Sequence, residues 1–303
     1  MFQILYSLTI LYTLNEITFM NLNSTLISVQ ELQTYLKSQP ANTVIFDCRF
    51  DLSKPHLGYQ QYLEGHIPRS IYVDLEKDLS GSKNRLHGRH PLPAAKDWAD
   101  TRARLGISEN TIVILYDFQE NTYSARMWWM LQAIGHQAIH ILDGGYAEWL
   151  KLGGIIENGP SLNPKALLSL PIIEYKGLIH MSDIQHNIKN PSFQIMDARA
   201  QERFRGEIEP LDPVAGHIPG ALNKPYKSNL NQNNLFKTQA ELAREFSNID
   251  CAPNKVVHQC GSGVTACHNL LAMELAGLKG SKLYAGSWSE WCNHPANPIA
   301  TGA

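Results

Sequence analysis

Cysteine is scarce in this chain: five residues, at positions 48, 251, 260, 267 and 292, are scattered through 303. An odd number without framework spacing excludes a disulfide scaffold, points to a reducing cytosol and leaves at least one thiol free to react. Net charge is nearly absent too, with 26 Lys and Arg against 28 Asp and Glu. No Lys/Arg-rich run changes that balance, so nothing offers a general attraction to nucleic acid or to an acidic membrane surface. A bilayer-spanning run is also missing: the apolar stretch MFQILYSLTILYTL at residues 1–14 is too short to cross as a helix. It has no Lys or Arg before it and no small-x-small cleavage site, both of which mark a secretory signal. We therefore expect an over-extended start, with a more ordinary opening at Met20 and a cytoplasmic protein. Were residues 1–22 to act as a signal sequence, the location would be periplasmic.

What is present is ordinary globular composition, 44% hydrophobic and 18% charged, in a length that suits about two domains. The chain is also duplicated, which bears on every later inference. In the first half VIFDCRF (44–50) is followed by EGHIPRSIYVDL (64–75), IVILYD (112–117), a helical stretch from about Tyr123 to Ile134, and LDGGYAEW (142–149). In the second half FQIMDAR (193–199) is followed by AGHIPGALNKP (215–225), VVHQC (256–260), a helical stretch from about Val264 to Ala276, and LYAGSWSEW (283–291). Short apolar runs ending in polar residues and alternating with helical patterns predict, in each half, a central parallel sheet flanked by helices, an α/β architecture. Ligands in such sheets sit beyond the carboxyl ends of the strands. The expected boundaries are an N-terminal extension (1–22), a first domain (23–150), a linker with GG, GP and separated prolines (151–178), and a second domain (179–303).

The halves differ where chemistry belongs. At the end of the strand at 256–260 stands Cys260, followed by GSGVTACHNLL, whereas the matching place in the first half holds Asp117, followed by FQENTYSARMWW. One copy alone has a nucleophile there. Gly261 and Gly263 let the backbone curl so that successive N–H groups point inward, and the following helix adds its positive end. A cradle of Gly261, Ser262, Gly263, Val264 and Thr265 would favour the Cys260 thiolate and then a persulfide anion, with hydroxyl donors from Ser262 and Thr265.

With those residues in view, the chain resembles tandem rhodanese-domain sulfurtransferases. The resemblance rests on the repeated GHIP (65–68 and 216–219), the D-x-R strand end at 197–199, CGSGVTA at 260–266 and GSWSEW at 286–291, and it covers about residues 28–302. GRHPLP (88–93) and ARMWW (125–129) are similar to the non-catalytic first domains of that family. The resemblance implies two tandem rhodanese-like domains of which only the second is catalytic. It also implies a Cys260 persulfide that takes sulfur from a small-molecule donor and passes it to a thiol, such as thioredoxin or glutathione, or to cyanide. No cofactor and no metal is implied. C-G-S-G-V-T is similar to 3-mercaptopyruvate enzymes, whereas thiosulfate enzymes carry a cationic C-R-K-G-V-T loop suited to a dianionic donor.

Residue roles follow from the same resemblance. Arg203, within ERFRG, would hold the donor's carboxylate as a guanidinium fork. Ser262 would protonate or position the donor together with His66 from the first domain. Arg199, grouped with the substrate-binding candidates, is expected mainly to order the loop by pairing with Asp197 or a neighbour. There are two departures: Leu211 in EPLDP (209–213) stands where mercaptopyruvate enzymes often carry a second arginine, and no acidic partner is evident before the first GHIP. Thiosulfate, mercaptopyruvate or neither therefore remains open as donor.

Other chemistries fit less well. A phosphatase needs C-x5-R, but position 266 is Ala. Zinc from His258, Cys260, Cys267 and His268 lacks ligand spacing, and Cys267 and His268 fall on the predicted helix. His217 is expected to brace a turn before Pro219, and the Trp pairs 128–129 and 288 with 291 to pack core and interface. A sulfur carrier or partner-binding module without turnover is the alternative of a different class, against which the intact CGSGVTA argues.

Overall fold

A computed structural model describes residues 24–38, 42–84, 86–118, 120–161 and 166–302; the expectation for residues 1–22 lies outside them. The first half runs β1 (Leu26–Ile27), α1 (Val29–Lys37), β2 (Thr43–Asp47), α2 (Leu57–Glu64), β3 (Ser70–Tyr72), α3 (Ala95–Arg104), β4 (Ile112–Tyr116), α4 (Thr122–Ala133), β5 (Ile139–Leu142) and α5 (Gly145–Lys151). The second runs β6 (Leu178–Ile179), α6 (Met181–Lys189), β7 (Gln194–Asp197), α7 (Gln201–Phe204), β8 (Leu222–Asn223), α8 (Gln239–Glu245), β9 (Val256–Gln259), α9 (Thr265–Leu275), β10 (Lys282–Tyr284) and α10 (Ser287–Trp291). Every described strand pair is parallel, and the two five-stranded sheets share one order, β1-β5-β4-β2-β3 and β6-β10-β9-β7-β8. The internal repeat is thus a repeat of topology.

The central strands are apolar because both faces are covered. β4, IVILY, is buried over its last four residues and β9, VVHQ, over all four. Register then gathers the functional ends: Asp47 lies opposite Tyr116 and Asp197 opposite Gln259, so each D-x-R segment ends beside the loop that leaves the central strand.

That D-x-R segment is a structural device used twice. Arg49 grips the Asp47 carboxylate through Nε and Nη2 and donates from Nη2 to the Gly65 carbonyl at 2.7 Å. Arg199 does the same with Asp197 and the Gly216 carbonyl, also at 2.7 Å. Each guanidinium also stacks on an aromatic ring, Tyr146 at 4.1 Å and Trp288 at 4.7 Å. The pair therefore ties the strand end to the glycine of GHIP in both halves, with or without a nucleophile nearby.

The halves meet along α4 and α9. Both helices are buried nearly all round, as expected of helices covered on every side. Their side chains belong to one continuous apolar cluster that takes in Met127, Met130, Cys267, Leu270 and Leu271. Trp128 and Trp129 pack in that shared cluster, while Trp288 and Trp291 fill the second half's own core.

Candidate active site

Cys260 directly follows β9 and faces a cavity of about 310 Å³ whose walls come from both halves. The first half contributes Phe50, Arg89, Asp117, Phe118 and Tyr123; the second contributes Arg203, Leu211 and Tyr226 besides the Cys260 loop itself. Gly261, Ser262, Val264 and Thr265 all line it. The backbone turns at Gly263, which takes φ +76° and places its N–H 3.1 Å from the Cys260 sulfur. A Cβ there would fall 2.3 Å from the Ala285 carbonyl oxygen, so the position requires glycine twice over. The turn is fixed from below, where Ser287 Oγ accepts the Cys260 N–H and the Cys260 and Gly261 carbonyls accept from Trp288 and Ser289. The helix α9 begins directly after, at Thr265, adding its positive end to the same side as the sulfur.

The first half shows what the same loop does without a cysteine. Asp117 is buried, and its carboxylate accepts the backbone N–H groups of Asn121 at 2.9 Å, Tyr123 at 2.8 Å and Ser124 at 3.3 Å. The loop's amides are therefore already satisfied by a side chain of the loop. Burial outweighs those donors and holds the Asp117 carboxyl up at about 6.

Ser262 is reached from the first half, but by a different histidine than expected. His90 Nδ1 lies 2.9 Å from Ser262 Oγ, and His90 is buried. Burial first, then the cations Arg126, Arg89 and Lys83, push its imidazole down to about 3, so it is neutral at ordinary pH. Among the described residues no carboxylate hydrogen-bonds to it. His66, by contrast, sits outside the cavity: its Nδ1 faces the Tyr62 carbonyl at 2.8 Å and its Nε2 the Ser161 hydroxyl at 2.9 Å. His217 repeats that arrangement, with Nδ1 on the Phe204 carbonyl at 2.8 Å. Both GHIP histidines brace turns, and the residue pairing with Ser262 comes from GRHPLP.

Arg203 lines the cavity and is held by Glu209 through Nε at 3.1 Å and Nη2 at 2.6 Å. Arg199 does not reach it. Its side chain is 1% exposed and is engaged by Asp197, Glu209 and Gly216. A further residue that sequence reasoning passed over is Arg126, fully buried on α4 in the ARMWW segment. It donates to the carbonyls of Gly263 at 3.1 Å, Leu79 at 3.2 Å and His90 at 3.1 Å, pinning the cysteine loop and the His90 loop to one cation. An arginine set between Ala125 and the apolar run at 127–131 was its signal. His258 meets Met273 sulfur and His268 meets Asn229, so neither points to a common centre with Cys260.

The rhodanese-like domain family matches residues 28–152 and again residues 180–294. This chain belongs to the rhodanese family. Similar proteins include the Pseudomonas aeruginosa protein named "Probable 3-mercaptopyruvate sulfurtransferase", 42% identical over 91% of this chain and 98% of that one. The human 3-mercaptopyruvate sulfurtransferase is 37% identical over 77% of this chain and 78% of its own. Among solved structures, 3-mercaptopyruvate sulfurtransferase from Leishmania major superposes with a TM-score of 0.81 at 29% identity, covering 91% of this chain and 76% of that one. SseA from Escherichia coli, a 3-mercaptopyruvate sulfotransferase, does so with 0.76 at 30% identity, covering 88% and 99%. The rhodanese chain described here thus shares its two-domain architecture with sulfur-transferring relatives. Among its described residues no helix is long and apolar enough to cross a membrane.

Proposed function

We propose that this rhodanese is a sulfurtransferase that takes a sulfane sulfur from 3-mercaptopyruvate, with thiosulfate next in preference, and carries it as a Cys260 persulfide. The observation that carries the reading is the single nucleophile at the cavity floor, with the Gly263 N–H 3.1 Å from its sulfur. The Cys260 thiolate attacks the donor sulfur, the C–S bond breaks, and the electron pair leaves on the pyruvate enolate. The donor's thiol proton goes to that carbon, giving pyruvate and Cys–S–S⁻. A second thiolate, such as that of thioredoxin or glutathione, or cyanide, then attacks the outer sulfur and frees Cys260. Ser262, held by neutral His90, is placed to position the donor and to steady the oxygen on which charge develops. The five cysteines are all free thiols, which suits a reducing cytoplasm.

The test is direct. Treatment with 3-mercaptopyruvate should add the mass of one sulfur atom to the peptide containing Cys260, and Cys260→Ser should abolish both the adduct and turnover. Comparing rates with thiosulfate and 3-mercaptopyruvate assigns the donor. No adduct and no turnover with either donor would leave the non-turnover binding module as the better account, and turnover surviving in Cys260→Ser would overturn Cys260 as the sulfur carrier.

A further inference from the structure

Leu211 leaves the EPLDP loop without an arginine of its own, yet a second guanidinium stands beside Arg203 and comes from the other half of the chain. The point where a Cβ on Gly261 would stand is 2.9 Å from Arg89 Nη2 and 3.4 Å from both terminal nitrogens of Arg203. Two guanidinium groups therefore converge over the residue next to Cys260, and both line its cavity.

Neighbouring contacts explain how a first-half residue is held there. Asp212, next to Leu211 and with a side chain 2% exposed, pairs with Arg89 through one carboxylate oxygen and lies 3.4 Å from Arg203 Nη2 through the other. The Arg89 backbone N–H donates to Ser289 Oγ at 3.0 Å. Gly88, at φ +89°, lets the strap approach so closely that a Cβ would fall 2.8 Å from the Gly286 carbonyl oxygen. His90 follows with its contact to Ser262. Three consecutive residues thus dock on the second half, and the middle one carries the cation.

The bonding also leaves nitrogens facing the loop. Glu209 and Asp212 engage Arg203 through Nε and Nη2, and Asp212 engages Arg89 through Nη1. Arg203 Nη1 and Arg89 Nη2 are the atoms of each fork that approach Gly261 without a carboxylate in those pairs. Arg89 remains 28% exposed and Arg203 16%, so a small anion in the cavity can reach them. Planar forks on two sides suit a planar carboxylate.

We infer that Arg89 and Arg203 together form the seat for the carboxylate of an α-keto-acid sulfur donor, Arg89 supplying from the first half the cation that position 211 lacks. This rests on the sulfur-transfer reading above. Asp212 is the positioning residue that keeps the two forks apart and aimed at the loop.

The experiment measures Cys260 persulfide formation by mass and steady-state turnover in the full-length protein, with 3-mercaptopyruvate and with inorganic polysulfide, a donor that has no carboxylate. Arg89→Gln should raise KM for 3-mercaptopyruvate by about 10- to 100-fold, the range of one charged hydrogen-bonded contact. Loading by polysulfide should fall at least tenfold less. Arg89→Lys, which keeps the charge and loses the fork, should lie between, guarding against a folding defect in the first variant. Adding Leu211→Arg to Arg89→Gln should recover part of the lost affinity. An equal loss with both donors would reduce Arg89 to a loop brace, and an unchanged KM would remove it from the seat; either overturns the inference. Failure of the unsubstituted protein to load from both donors would instead overturn the sulfur-transfer reading beneath it.

Discussion

Gly263→Ala is the substitution on which the loop geometry can be judged most sharply, because Gly220 supplies its control. Both glycines have a positive φ, +76° and +80°, but a Cβ on Gly220 meets nothing within 4 Å whereas one on Gly263 falls 2.3 Å from the Ala285 oxygen and 3.0 Å from its carbonyl carbon. The left-handed conformation alone costs an alanine about 1–2 kcal/mol, part of which is offset by the lower entropy of the unfolded chain. Gly220→Ala should therefore lose about 1 kcal/mol. At Gly263 the clash is with main chain, which cannot swing aside, and overpacking of that kind adds about 1–3 kcal/mol. The urea midpoint should consequently fall about two to four times further for Gly263→Ala. The same displacement carries the Gly263 N–H off the Cys260 sulfur, removing the hydrogen bond it donates there. Alkylation of Cys260 by iodoacetamide, followed on its own peptide, should slow by about tenfold or more, and Gly220→Ala should leave it alone. Equal midpoints for the two variants, with unchanged alkylation, would refute the claim that this turn is held against Ala285 and serves the Cys260 sulfur.

Three further outcomes follow from the site. Arg126→Met should lower stability by about 3 kcal/mol in urea titration, because the carbonyls of Gly263, Leu79 and His90 lose their shared donor, and Arg126→Lys should recover part of it. His90→Ala should lower kcat for 3-mercaptopyruvate by about 100-fold, the scale of a proton-handling or polarising partner, with a much smaller change in KM; a change confined to KM would contradict the pairing with Ser262. Buried His90, His258 and His268 are each held down at about 3, so the stability they give is present above the unfolded value near 6.5 and is lost as pH falls below it. By pH 5 each loses about 2 kcal/mol. Asp117 and Asp143, held up at about 6, act in the opposite sense and return about 1 kcal/mol apiece over the same span. A melting temperature that drops between pH 7 and 5 is expected, and one that rises would contradict the assigned burial.

Much of this was visible in the residues themselves. The duplication, the parallel strands and the cysteine loop are written locally: apolar runs of strand length, D-x-R and GHIP at matched intervals, and glycines around a lone nucleophile. The partner of Ser262 was not, because it depends on which first-half loop folds over the second half. Sequence spacing sees two equivalent GHIP histidines, and the structure shows that equivalence to be structural, since His66 and His217 make matching contacts to carbonyls of their own half. His90 and Arg89 lie on a long connection between β3 and α3 whose partners, Ser262 and Ser289, stand about 170 to 200 residues away in sequence. Arg199 makes the same contacts as its first-half twin Arg49, which stands beside a strand end that carries Asp117 in place of a cysteine.

The common interior along α4 and α9 has a mechanical corollary. Each half finishes the other's apolar filling, so packing as well as the connecting stretch holds them together. A protease that nicked that stretch would be expected to leave both fragments associated through this interior, with the cysteine loop still met by Arg89, His90 and Arg126 from the opposite piece.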